Sequence, residues 1–343
     1  MNLIELEKFL KGQPSFRARQ VKAAIFKNLI ESWDEASPLP KDLRESLKKN
    51  FSLEITGAVM ESKDKKTIKA AIKLEDGEII ESVLLKHNDG RNTVCLSSQV
   101  GCPLGCRFCL TGKMGFIRNL EFFEILIPLL FFARHLKKSE EKITNIVFMG
   151  MGEPLLNYDE VIDAIRTIND ENGFNIGARK ISISTVGIIE GIKKLAREKM
   201  QINLAISLHA PNDSLRSQII PFNQSHPLKN LLKTVSYYIE KTNRRVMIEY
   251  LMIKGINDKP ELAFELVNLL KDSLGKLFFV NLIKYNATGD YQPSDQKDIE
   301  NFKRILEKNG VPVVERYRFG ENIKAACGQL AGDCRRVRFR DEN

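Results

Sequence analysis

The sequence predicts an α/β fold: a partial (β/α)6 barrel preceded by a helical and small antiparallel-sheet accessory region. Three observations carry this. From Thr93 onward, six apolar β-type runs alternate with segments of helical period, the rhythm of a parallel sheet built from βα units. Before Thr93, helical patterns give way to three β-type runs separated by "KDKK" and "EDG", an antiparallel meander. A parallel sheet of this kind is either open and doubly wound or a barrel. No G-x-G-x-x-G follows the first strand and no break divides two halves, which disfavours a dinucleotide fold and leaves the barrel.

In chain order, "RARQVKAAIFKNLIESW" places Val21, Ile25, Leu29 and Trp33 on one face at four-residue spacing, and "LPKDLRESLKKNF" does the same with Leu43, Leu47 and Phe51. The meander strands are "EITGAVMES", "TIKAAIKL" and "EIIESVLL". The barrel strands are "TVCLSS", "NIVFMG", "KISIST", "INLAIS", "RVMIEYLMI" and "KLFFVNLI", with helices such as "YDEVIDAIRTIN", "IIEGIKKLAREK" and "PLKNLLKTVSYYIEKTN" between them. Pro128 should kink the helix that carries it. This divides the chain into residues 1–86 (accessory), 87–310 (barrel) and 311–343 (C-terminal segment and basic tail).

At 43% hydrophobic and 28% charged residues, the composition is that of a soluble globular protein. The most apolar run, "FFEILIPLLFFA", is too short to span a bilayer, and the N-terminus lacks a basic segment followed by an apolar core. The expected compartment is therefore the cytoplasm, where clustered cysteines point to metal or catalysis rather than disulfides. A net charge of +9 suits an anionic partner, nucleic acid first, or simply a basic solvated surface.

Three of the six cysteines fall within eight positions, in "GCPLGCRFCLTG", directly after the first barrel strand. Ligands of α/β barrels and open sheets sit beyond the carboxyl ends of the strands, so this loop lies where a site belongs. A structural zinc site needs a fourth ligand, and the other cysteines and all four histidines are isolated. A cubane held by three thiolates instead of the usual four leaves one iron open to a small molecule. Other strand ends on the same rim carry polar groups: Gly152 and Glu153 in "FMGMGEPLLN", Ser184 in "SISTVG", Ser207 and His209 in "AISLHAP", and Asn286 in "NLIKYN". Glu153 could take a ligand ammonium as a charge-assisted hydrogen bond.

The C-x3-C-x2-C spacing is that of radical S-adenosylmethionine enzymes. Together with "CLSSQVGCPLGCRFC", "GFIRNL", "FMGMGEPLLN", "IGARKISISTVGII", "INLAISLHAPND" and "AACGQLAGD", the chain resembles the RlmN family of radical S-adenosylmethionine RNA methyltransferases along nearly its whole length. The sister family, Cfr, methylates carbon 8 of adenosine rather than carbon 2 and shares most of these motifs. Pro154, Leu156, Phe116 and Arg118 look like the carbon-2 enzymes, whereas Lys284 leans towards Cfr, so the carbon-8 reading stays open.

The resemblance implies a [4Fe-4S] cluster on Cys102, Cys106 and Cys109, with S-adenosylmethionine, two molecules per turnover, bound by Gly152, Glu153, Ser184, Ser207, Leu208, His209 and Asn286. It implies that Cys327 carries the methyl group as S-methylcysteine, that Cys95 resolves the enzyme–RNA adduct through a transient disulfide with Cys327, and that Glu81 is the proton acceptor. Cys334 matches nothing. The implied substrates are 23S rRNA and tRNA, the implied reductant a low-potential donor such as flavodoxin or ferredoxin, and the protein a monomer without membrane contact. Candidate phosphate contacts are Arg17, Arg19, Lys22 and Lys27, then Lys63, Lys65 and Lys66, and in the tail Arg335, Arg336, Arg338 and Arg340.

Overall fold

The computed structural model describes residues 3–316, 323 and 325–330 of the 343. Helices α1 (Leu3–Leu10), α2 (Ser15–Phe26) and α3 (Lys41–Asn50) open the chain. The four-residue face proposed for 17–33 does not continue as one helix. Helix α2 stops at Phe26, Leu29 turns into the left-handed region (φ 57°), and the Asn28 and Ile30 amides close back onto Ala23 and Ala24. Trp33 is nevertheless buried, and its indole nitrogen donates to the Phe51 carbonyl at 2.6 Å.

Strands β1 (Gly57–Glu61), β2 (Thr67–Lys73) and β3 (Ile79–Lys86) form the expected meander. It continues directly into the barrel: β3 pairs antiparallel with β4 (Asn92–Leu96), Val83 opposite Cys95. After β4 come a small hairpin, β5 (Gln99–Gly101) with β6 (Phe116–Asn119), and the short helix α4 (Leu110–Met114) inside it. Helix α5 (Phe122–Lys137) then runs through Pro128 unbroken. Its Arg134 donates to the backbone oxygens of Leu53 and Ile30, fastening the barrel to the accessory helices.

The βα repeat follows as β7 (Asn145–Phe148), α6 (Tyr158–Asn169), β8 (Ile181–Thr185), α7 (Ile189–Leu195), β9 (Asn203–Ser207), α8 (Asp213–Ile219), α9 (Leu228–Thr242), β10 (Val246–Met252), α10 (Pro260–Leu274), β11 (Phe278–Lys284), α11 (Gln296–Lys308) and β12 (Val313–Glu315). Among the described residues one ten-stranded sheet runs β1-β2-β3-β4-β7-β8-β9-β10-β11-β12, with every pair from β4 to β12 parallel. The order never reverses, so right-handed crossovers put the helices on one side and curl the sheet round its other face. That winding is a barrel's, and β12 does not pair with β4, so the barrel is partial. Strand β12 is a seventh parallel strand that the sequence pattern did not announce: "VPVVE" has a proline at its edge and only three paired residues.

Register decides which side chains face the barrel interior. Cys95 aligns with Val147, Val147 with Ser182, Ser184 with Ala205, Ser207 with Glu249, Glu249 with Asn281, and Asn281 with Val314. Because side chains alternate, Cys95, Ser184, Ser207, Glu249 and Arg316 all belong to one face. Among the described residues no helix is long and apolar enough to cross a membrane.

Candidate active site

The cysteine loop leaves β5 at Gly101 and returns through α4. Gly101 sits at φ 76°, where a Cβ would overlap the Gly115 carbonyl oxygen, so only glycine lets the two arms of the hairpin close. The Cys102 amide donates to that same oxygen at 2.8 Å. Cys102, Cys106 and Cys109 line one cavity of ≈150 Å³, shared with Glu153, Ser184 and Ser207. Gly152, His209, Glu249, Arg316 and Cys327 complete the part of its wall that bears chemistry. A larger groove of ≈600 Å³ between α5 and the accessory helices gathers no thiols, so chemistry rather than size selects the site.

Burial pushes the Cys102 thiol up to about 12, and repulsion from Cys109 and Glu153 adds to this. Cys106 is raised well above its ordinary value, first by burial, then by Cys109 and Cys102. Cys109 is raised for the same first reason, against hydrogen bonds from Gly112 and Thr111. Three thiols, Cys106 buried and Cys102 and Cys109 half-buried, that oppose one another's ionisation make a donor set that a bound cation would turn into thiolates. Among the described residues no three His, Cys, Asp or Glu side chains converge tightly enough for a single metal ion. Thiols spaced around a shared cavity fit a multi-iron group, where each thiolate takes its own iron.

The rim residues are tightly held. Glu153 is buried, its two oxygens accepting from the Leu155 and Val186 amides at 3.0 Å each, and burial lifts its carboxyl to about 7. His209 accepts from the Leu251 amide through Nδ1 (3.1 Å), which leaves the ring proton on Nε2. Burial, then the charge of Arg216, drops its value to about 3, so it is neutral at physiological pH. Its ring meets Phe108 of the cysteine loop edge to face, centroids 5.1 Å apart. Leu208 is fully buried in the core and contributes through its backbone: the amide donates to Glu249 O and the carbonyl accepts from Arg216.

Three residues that the sequence did not single out complete this side. Glu249, 4% exposed, accepts from Ser184 Oγ at 2.5 Å and lies 3.4 Å from Ser207 Oγ. Arg216, fully buried, donates to the carbonyls of Val186, Ser207 and Leu208 and to Asn223 Oδ1. Arg316 leaves the end of β12 and brings Nη1 to 3.5 Å from Glu249 Oε1.

A second, smaller cavity (≈50 Å³) lies behind the first and holds Cys95, Asn286 and Lys284. Cys327 and Arg316 line both cavities. Asn286 is thus on the Cys95 side, its side-chain amide donating to the Cys327 carbonyl at 3.3 Å. Burial, then repulsion from Cys327, pushes the Cys95 thiol up to about 12. Glu81 projects from the same sheet face as Cys95, two residues before its partner Val83, and forms a buried ion pair with Lys69 at 3.1 Å. It is not among the residues lining either cavity. Cys334 and the tail arginines Arg335, Arg336, Arg338 and Arg340 lie outside the described residues. Of the accessory cations, Lys22 is tied to Asp170 (2.9 Å), whereas Arg19, Lys27, Lys63 and Lys65 are exposed.

With this geometry in place, comparison with known proteins assigns the family. The Radical SAM superfamily model matches residues 96–267. A probable dual-specificity RNA methyltransferase RlmN of Dictyoglomus turgidum is 51% identical over 321 residues, covering 93% of this chain and 91% of that protein. The chain belongs to the RlmN family. A probable dual-specificity RNA methyltransferase RlmN of Staphylococcus aureus is 43% identical over 334 residues, covering 96% of this chain and 90% of that protein. The crystal structure of a radical SAM methyltransferase from Sphaerobacter thermophilus superposes with a TM-score of 0.90 at 41% identity, covering 96% of this chain and 97% of that one. RlmN membership makes the protein an enzyme, a radical S-adenosylmethionine RNA methyltransferase, and makes S-adenosylmethionine and an iron–sulfur cluster its cofactors. It also retires the carbon-8 alternative: these relatives are RlmN proteins, and the Lys284 that leaned towards Cfr sits in an otherwise RlmN-type chain.

Proposed function

We propose that this enzyme methylates carbon 2 of an adenosine in 23S rRNA and in tRNA, with Cys327 as the carrier of the methyl group. The observation that carries the reading is the place of Cys327: it lines both the cavity of the three cluster thiols and the cavity of Cys95. A carrier must meet the methyl donor on one side and the resolving thiol on the other, and a residue shared by two walls does both. The term "dual-specificity" in the relatives' names supports two classes of RNA substrate.

In this reading Cys102, Cys106 and Cys109 hold a [4Fe-4S] cluster, and Gly152, Glu153, Ser184, Ser207, Leu208, His209 and Asn286 form the S-adenosylmethionine site. The bound cluster and two molecules of S-adenosylmethionine per turnover supply the methyl group and the radical reactivity that an electron-poor aromatic carbon requires. Cys327 bonds the methyl-derived carbon and then, through it, the adenine. Glu81 takes the C2 proton. Cys95 attacks Cys327 Sγ, and a Cys95–Cys327 disulfide forms as the carbon–sulfur bond of the adduct breaks. An external thiol reductant resets the pair, and a flavodoxin- or ferredoxin-type donor feeds the cluster. The enzyme acts as a monomer in the cytoplasm, residues 1–86 contributing an RNA-binding surface, 87–310 the barrel and 311–343 the carrier cysteine and basic tail.

The test is the Cys95→Ala variant, because attachment precedes the step Cys95 performs. Incubated with RNA, S-adenosylmethionine and reductant, it should accumulate a covalent protein–RNA species, seen as a shifted, nuclease-sensitive band. Cys327→Ala, and the double variant, should give none. A Cys95→Ala protein that turns over normally and traps nothing contradicts the reading.

A further inference from the structure

Among the described residues, the lining common to the two cavities carries one cation that no assigned role uses. Arg316 continues the β12 register, its amide donating to Leu282 O at 2.9 Å, so its backbone is fixed to the sheet. The side chain turns into the barrel and lines both cavities, as Cys327 does. Glu249 braces it from β10: Oε2 is taken by the two serines, while Oε1 lies 3.5 Å from Arg316 Nη1, too loose for a hydrogen bond, and is a buried acceptor with no hydrogen bond. The Met149 sulfur stands 3.5 Å from the same nitrogen. The guanidinium is therefore not consumed by a bidentate pair with its carboxylate, the arrangement in which arginine is usually neutralised. Lys284 is a second cation near the thiols but lines only the Cys95 cavity, so among the described residues the positive charge that shares the three-cysteine cavity with Cys327 is that of Arg316.

We propose that Arg316 is a positioning residue for the sulfur chemistry, presenting a fixed positive charge to Cys327 where the two cavities meet, so that this sulfur can act as a nucleophile inside an apolar wall. The inference rests on Cys327 being the methyl carrier. In the step it serves, Cys327 loses its thiol proton to solvent and Sγ bonds the sulfonium methyl carbon. The old carbon–sulfur bond breaks with its electron pair on the departing thioether, S-adenosylhomocysteine. Cys327 is half-buried, and a cation beside a sulfur nucleophile favours the thiolate that attacks. Electrostatics agree with the placement: Arg316 is held above its ordinary value first by Cys327, against its own burial, and then by Glu249 and Cys95.

The test uses the full, cluster-reconstituted chain with methyl-deuterated S-adenosylmethionine, without RNA or reductant, and follows labelling of the Cys327 peptide by mass spectrometry. Arg316→Gln should label about tenfold more slowly than wild type with an unchanged KM for S-adenosylmethionine and full iron content, whereas Arg316→Lys should stay within about threefold. Arg316→Gln labelling at the wild-type rate overturns the proposal. So does Arg316→Lys falling as far as Cys327→Ala with iron and KM intact, an outcome that decides the matter even where Arg316→Gln does not fold. Absence of label at Cys327 in wild type sinks the carrier reading itself, and this inference with it; a labelled wild type with an indifferent Arg316→Gln sinks the inference alone.

Discussion

Replacing Arg216 by methionine keeps an unbranched apolar stem about as far as Nε and removes the guanidinium with everything it holds. Arg216 has no exposed surface, and four hydrogen bonds leave its guanidinium: Nε to Leu208 O (3.0 Å), Nη2 to Val186 O (2.6 Å) and Ser207 O (3.1 Å), and Nη1 to Asn223 Oδ1 (2.7 Å). The three carbonyls lie just beyond β8, at the end of β9 and at the start of the loop that carries His209, and Asn223 lies in the turn after α8. The variant leaves three buried carbonyls and an amide oxygen short of a donor, and breaking such a buried charged network costs about 3–5 kcal/mol. Unfolding entropy near 2.1 cal/mol/K per residue amounts to about 0.7 kcal/mol/K over a chain of 343 residues, so Tm should fall by about 5 °C. The damage is directed at the rim of the three-cysteine cavity, since Ser207 and the His209 loop lose their tether. Scanning calorimetry of the iron-loaded protein reads the first effect and equilibrium binding of S-adenosylmethionine the second. A lysine at 216 keeps the charge and part of the donor set, and should recover about half of the lost stability. A methionine variant that melts within about 1 °C of wild type and binds S-adenosylmethionine normally refutes the role given to Arg216 in holding the rim.

Other consequences are as direct. Gly101→Ala places a methyl group on the Gly115 carbonyl oxygen at a left-handed φ; it should cost at least about 2 kcal/mol and lower the iron retained per chain, and normal iron content with an unchanged melt contradicts this. His209 is neutral when folded, with a value near 3 against an ordinary 6.5. The stability this gives is full above about pH 6.5 and lost progressively as pH falls towards 3. At about pH 4.5 the loss is roughly 2–3 kcal/mol, so the stability gap between wild type and His209→Asn in urea should narrow by that amount between about pH 7.5 and 4.5. A gap that does not change with pH contradicts it.

The barrel was legible because its strands are buried on both faces and its helices on one, two patterns that differ in period. The cysteine loop stood out because three cysteines crowded into eight positions, with no fourth ligand nearby, suit neither a structural zinc site nor a buried apolar face, and the fold then brings all three to one cavity. Glu249, Arg216 and Arg316 were not legible. In "MIEYLM" the glutamate sits between Ile248 and Tyr250 and reads as a solvent-facing strand position; only closure of the barrel turns that face inward. Arg216 in "DSLRSQII" reads as the polar side of a helix, and nothing local says that strand-end carbonyls wait beneath it. Arg316 belongs to no motif, and its importance follows from a register that runs across seven strands. The apolar spacing overextends helix α2 because Leu29 keeps the pattern while its backbone has already turned left-handed. Glu81 needed the family to be noticed; the sheet register then puts it on the Cys95 face, with Lys69 as its partner.

The most direct measurement is nucleoside mass spectrometry, against chromatographic standards, of unmodified 23S rRNA and tRNA. Each RNA is treated with the anaerobically reconstituted protein, S-adenosylmethionine and a low-potential reductant. The expected product is 2-methyladenosine in both RNAs, abolished by Cys327→Ala. Appearance of 8-methyladenosine, or S-adenosylmethionine cleaved at an intact cluster with no methylated adenosine in either RNA, contradicts carbon-2 methylation by this enzyme.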